Sequence, residues 1–139
     1  MPFNRQIAVA LIGLSLAAQN AETFKARLSP VPADARTRAD LAGSGSASAA
    51  LTGTRLAVTG SFDGLLSPAT TASLHGAIAP GVRGPVIGDL TISKSTSGTI
   101  SGSIDLTPPQ IASLRKGGLY VQIQSEKTPE GVLWGWFLK

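Results

Sequence analysis

The chain holds a single histidine, His75, within the run Ala72-Ser73-Leu74-His75-Gly76, so imidazole chemistry must happen there or nowhere. As a metal ligand His75 needs partners, and neither serine nor glutamine is a good ligand for a soft metal. As a general base it has Ser73 two residues away. On an extended strand those side chains share a face with Cβ atoms about 7 Å apart, too far for direct nucleophile–base contact unless the strand bends. No serine lies in a G-x-S-x-G elbow. Paired carboxylates would have to come from Asp63, Asp89, Asp105, Glu126 and Glu130, most of them beside turn signals where caps and solvated turns account for them. Gly81-Val82-Arg83-Gly84 resembles a phosphate loop but lacks the following Lys-Ser/Thr pair and a convincing helix. There are no cysteines, hence no thiolate chemistry and no disulfides. These residues predict a chain that is not an enzyme, with His75 hydrogen-bonded to a loop carbonyl or solvated.

The two tryptophans carry the stronger signal. In Gly118–Lys139, Leu119, Val121 and Ile123 alternate with Tyr120, Gln122 and Gln124, the period of a half-buried strand. Thr128-Pro129-Glu130-Gly131 then makes a turn. In the closing run, Leu133 and Phe137 on the core side put Val132, Trp134 and Trp136 on the other. An aromatic side chain buries roughly 150–250 Å², so this face would form a patch at or beyond what a monomer usually leaves bare. Either the helix or the loop over 33–46 folds over it, or it is an interface made of Val132, Trp134, Trp136, Tyr120, Gln122 and Gln124, to a second copy or to another exported or envelope protein.

The elements that must position these residues are short. Residues 1–21 have one positive charge at Arg5, an apolar run from Ile7 to Ala18 and small residues ending at Ala21, the layout of a secretory signal peptide; an uncleaved anchor is the alternative. The remaining domain, 22–139, then keeps eleven basic against eight acidic residues, a net +3, with no further membrane span. Its basic residues are scattered, which argues against nucleic acid as a partner. Strands are predicted over Glu22–Leu28, stopped by Pro30 and Pro32, and over Ser46–Leu51 and Arg55–Phe62, a hairpin closed by Thr52-Gly53-Thr54. Others lie within Leu65–Gly76, over Val86–Ile92 and over Gly98–Leu106. Ala33–Ser46 reads as a solvated loop, or a helical turn over 33–41. One helix is legible over about 108–116, capped by Thr107, begun by Pro108 and ended by Gly117-Gly118, with Ile111 and Leu114 on one buried stripe. The sum is an all-β, antiparallel sandwich or barrel of about seven to eight strands with one short helix.

Taken in order, Phe24-Lys25-Ala26-Arg27-Leu28, Ala72-Ser73-Leu74-His75-Gly76, Gly84-Pro85-Val86-Ile87, the helix with Gln110 and Leu114, Tyr120-Val121 and Pro129-Glu130-Gly131 resemble the CHRD domain of chordin and of many small exported bacterial proteins. That resemblance implies a compact Greek-key β fold, a periplasmic or secreted location and no established enzymatic activity. Family members usually read His-Ile-His-Gly at Ser73–Gly76, Tyr-Val-Asn-(Ile/Val)-His at Tyr120–Gln124 and Gly-Glu-(Ile/Leu)-Arg-Gly-(Gln/Thr) at Gly131–Trp136. A face of three histidines and a glutamate would suit a metal such as copper. Here Ser73, Gln124 and Val132 stand at three of those positions, and His75 is the one histidine left. The leading expectation is a non-enzymatic contact or structural module centred on the last strand, with a periplasmic copper-binding module as the alternative.

Overall fold

The computed structural model describes residues 21–77 and 81–139. The expected leader over 1–21 lies outside them except for Ala21, as do residues 78–80 beside the glycine- and proline-rich loop. Eight strands are present: β1 (Glu22–Pro30), β2 (Ser44–Thr52), β3 (Arg55–Asp63), β4 (Ala69–Gly76), β5 (Val86–Ile92), β6 (Gly98–Asp105), β7 (Leu119–Ser125) and β8 (Leu133–Trp136). All pair antiparallel and close a barrel in the order β1-β2-β3-β6-β5-β4-β7-β8. Of the two architectures expected, the chain takes the barrel. Among the described residues, no helix is long and apolar enough to cross a membrane.

Period-two alternation decides which way each strand faces. In β1, Phe24, Ala26 and Leu28 point inward while Lys25 and Arg27 are exposed. β2 and β3 repeat the pattern, Ala47, Ala49 and Leu51 meeting Leu56, Val58 and Phe62 in the interior. Thr52 pairs with Arg55, so the hairpin turns through Gly53 and Thr54, with Gly53 at φ +63° where a side chain would be strained. The interior is filled with side chains, as a barrel of eight strands requires. Phe24, Leu74, Ile123, Leu133 and Phe137 are each at or below 1% exposure.

Strand β1 runs two residues past the expected end, through Pro30. Proline's missing N–H is harmless there because the β1–β8 pairing is narrow and finishes at Pro30 and Leu133. Helix α1 (Pro108–Arg115) begins on a capping box: the Thr107 hydroxyl accepts from the Gln110 N–H, and the Gln110 side chain accepts from the Thr107 N–H. Leu114 joins the core, and Arg115 reaches back to Glu22 at the start of β1. The 31–43 connection carries one short 3-10 turn at Arg38–Asp40.

Candidate functional site

Strands β4, β7 and β8 lie side by side, and their register sets the outward side chains in rows. His75 is opposite Tyr120, and Tyr120 is opposite Trp136; Ser73 is opposite Gln122, and Gln122 is opposite Trp134. The first row is a stack. The His75 and Tyr120 rings are 4.9 Å apart at 19°, and the Tyr120 and Trp136 rings 4.6 Å apart at 29°. Trp134 meets Trp136 edge-on at 4.5 Å and 73°. Offset and edge-to-face pairs of this kind are each worth about 0.5–1.5 kcal/mol beyond the area they bury.

The segment 81–85 lies over these rows. Gly84 donates its N–H to the Tyr120 hydroxyl (3.0 Å), and its carbonyl accepts from that hydroxyl (3.3 Å) and from His75 Nδ1 (2.9 Å). A carbonyl only accepts, so Nδ1 carries the imidazole proton. Nε2 is then the acceptor, and Ser73 Oγ donates to it at 2.8 Å. Gly84 can come this close because it has no side chain: a Cβ there would collide with the Gly76 carbonyl oxygen. Next along, Arg83 lays its guanidinium 5.2 Å from the centre of the Trp134 ring and donates to Gln122 Oε1 at 3.1 Å. Gln122 Nε2 donates to the Glu130 carbonyl and Gln124 Nε2 to the Pro129 carbonyl, so the amides of β7 hold the turn that leads into β8.

As a result β7 is buried on both faces. Tyr120 is 1% exposed, Gln122 5%, Ser73 7% and His75 8%. Gln124, Trp134 and Trp136 are half-buried. Trp136 Nε1 is enclosed without a hydrogen-bond partner among the described residues, while the Tyr120 hydroxyl and both His75 nitrogens are paired.

A family model described as the CHRD domain matches residues 24–135. The chain belongs to the CHRD domain family. No curated protein and no solved structure matches it. The CHRD domain is in general a module of extracellular and exported proteins.

Three sequence expectations for this CHRD domain need correction. Val132 does not share the outward face with the tryptophans; it is 1% exposed and packs in the core beside Leu133. Gly131, at φ +132°, breaks the alternation just before it. Ser73 and His75 are not too far apart, because the β4–β5 register shifts between Leu74 and His75 and the strand bends enough to bring them together. The cover on the β7 face comes neither from α1 nor from the 33–46 loop but from Arg83 and Gly84. Those two residues were missed as site residues. Arg83 stood out only within Gly81-Val82-Arg83-Gly84, read against phosphate binding, and Gly84 also within the Gly84-Pro85-Val86-Ile87 run of the family resemblance, with no role attached.

A copper site of the kind the family pattern suggests does not fit this face. Both nitrogens of His75 are engaged, with Ser73 and with the Gly84 carbonyl. Among the described residues no group of three His, Cys, Asp or Glu side chains is placed to hold a metal.

Proposed function

We propose that this is a non-enzymatic CHRD domain, secreted or periplasmic, that works by protein–protein contact through the outward face of β8. One observation carries the reading. On a face whose other polar groups are tied down, two indoles, Trp134 and Trp136, keep part of their ring surface open to solvent. Tryptophan and arginine at the centre of a patch are the usual anchors of a protein interface. Leu138, 54% exposed, continues the same face beyond Trp136. The Ser73–His75 hydrogen bond supports a structural role: both residues are buried, and the imidazole is fixed to a backbone carbonyl. A reacting carbonyl would have to displace the 81–85 segment to reach it.

The test replaces Trp134 and Trp136 by glutamate and, separately, Leu138 by glutamate. Both variants should keep the circular dichroism of the wild type and lose the partner, or the self-association, that the wild-type domain shows in envelope extracts and by sedimentation. Unfolding of the double variant, together with unchanged association of Leu138→Glu, would make the indoles internal packing and end the contact reading.

A further inference from the structure

We propose that the outward face of the β1–β8 seam docks an acidic polypeptide, one that sets carboxylates around an apolar contact. This rests on the contact reading above and names the partner's chemistry. Ser29 pairs with Trp134, and Lys25 pairs with Leu138. Arg27 lies between them and presents its backbone carbonyl to Gly135, where a Cβ could not fit. The outward side chains of β1 next to the indoles are therefore Lys25, Arg27 and Ser29, all exposed. Arg83, also exposed, closes the opposite side over Trp134. The result is an apolar strip of Trp134, Trp136 and Leu138 between cations.

The charges of these cations are not neutralised by a carboxylate among the described residues. The ion pairs among the described residues are Arg55–Asp105, Glu22–Arg115 and Glu22–Lys139, and Lys25, Arg27 and Arg83 belong to none of them. Glu22, the carboxylate on the same strand, is already held by two cations. Glu130 meets Arg83 through its backbone carbonyl. Charge complementarity thus selects an acidic partner.

Two other occupants fit less well. A second copy across a two-fold axis would bring Lys25, Arg27 and Arg83 against themselves. A sugar chain would want a flat, open indole platform. Here Tyr120 covers one face of Trp136, Arg83 covers Trp134, and the two indole planes stand 73° apart.

Trp134 and Trp136 are the chain's only tryptophans, so indole emission reads this face alone. Poly-L-glutamate added to the full chain at low salt should shift that emission saturably. Poly-L-lysine should not, and high salt should abolish the effect. Lys25→Glu with Arg27→Glu, both on solvent and clear of the Arg83–Gly84 cover, should weaken binding roughly tenfold or more. Lys94→Glu, on the β5–β6 connection across the barrel from the β1–β8 seam, should leave it unchanged. Absence of any shift, a shift that survives the Lys25/Arg27 reversal, or a response to dextran sulfate without one to poly-L-glutamate would overturn the proposal. So would a dimer that Trp134→Glu with Trp136→Glu dissociates, though that result would leave the contact reading standing. The contact reading alone fails if the tryptophan double variant keeps every association of the wild type.

Discussion

The barrel has two unlike sides. Along the middle of β2, β3 and β6 most outward positions are small and polar: Ser46 and Ser48 on β2, Thr59 and Ser61 on β3, Ser101 and Ser103 on β6. These strands pair along almost their whole length, and the outward side chains of β3 and β6 stand in solvent. Across β4, β7 and β8 the outward rows under Arg83 and Gly84 are hydroxyl, imidazole, aromatic and amide: Ser73, His75, Tyr120 and Gln122 are buried there, and Trp134 and Trp136 keep only part of their surface in solvent. The difference shows what an outer sheet face does in a small barrel. Where water is the neighbour, serine and threonine suffice and each contributes little. Where another segment is the neighbour, the outer face becomes a second, polar core whose members depend on one another's hydrogen bonds.

The sharpest way to break this comparison is to truncate one outward residue on each side. Tyr120→Ala should cost about 3–5 kcal/mol in guanidinium unfolding, the loss typical of a buried aromatic, because it removes the middle of the His75–Tyr120–Trp136 stack. Thr59→Ala, equally outward on β3, should stay within about 0.5 kcal/mol. Equal losses would mean the two faces are not different in kind. A smaller effect is expected from Gly84→Ala. The new methyl meets the Gly76 carbonyl oxygen, and overpacking of this sort costs about 1–3 kcal/mol. With the cover displaced, the lone histidine should react faster with diethyl pyrocarbonate, while a variant on the open face, Ser61→Ala, should leave that rate unchanged.

The smallest effect lies at the seam, where Glu22 joins β1 to α1 and to the last residue. The hydrogen bond from Arg115, with help from Lys139, holds the Glu22 carboxyl down from the ordinary range near 4.5 to about 2. Its pKa is lower folded than unfolded, so its contribution is complete above about 4.5 and disappears as pH falls towards 2. The pair is exposed, so the slope should be shallow. Thermal melts from pH 5 to pH 2 should show Glu22→Gln converging on the wild type at the acid end, and parallel curves would remove Glu22 from the account.

Sequence reasoning succeeded where solvent enforces alternation. The β2–β3 hairpin and its Gly53 turn were readable, because polar and apolar residues there take turns facing water and core, and the start of β5 at Val86 followed from the glycine- and proline-rich loop before it. Thr107, Pro108 and Gly117 likewise marked the helix, since end signals act locally. The site was harder to read. That β7 and β8 carry too much apolar and amide surface for one wet face was visible in Tyr120, Trp134 and Trp136. What covers them was not, because Arg83 reaches Trp134 and Gln122 only through the fold. The Ser73–His75 hydrogen bond depends on a one-residue register slip, and Val132 on the backbone of Gly131. Neither leaves a trace in residue type.

Closure of the barrel has a consequence for how anything can recognise it. With every strand flanked on both sides, few amides and carbonyls are left for an incoming chain, and those lie where the β5–β6 and β1–β8 pairings are short. A ligand at the β8 face therefore reads mainly side chains, so its specificity would follow the identity of a few exposed residues and change readily when they are exchanged.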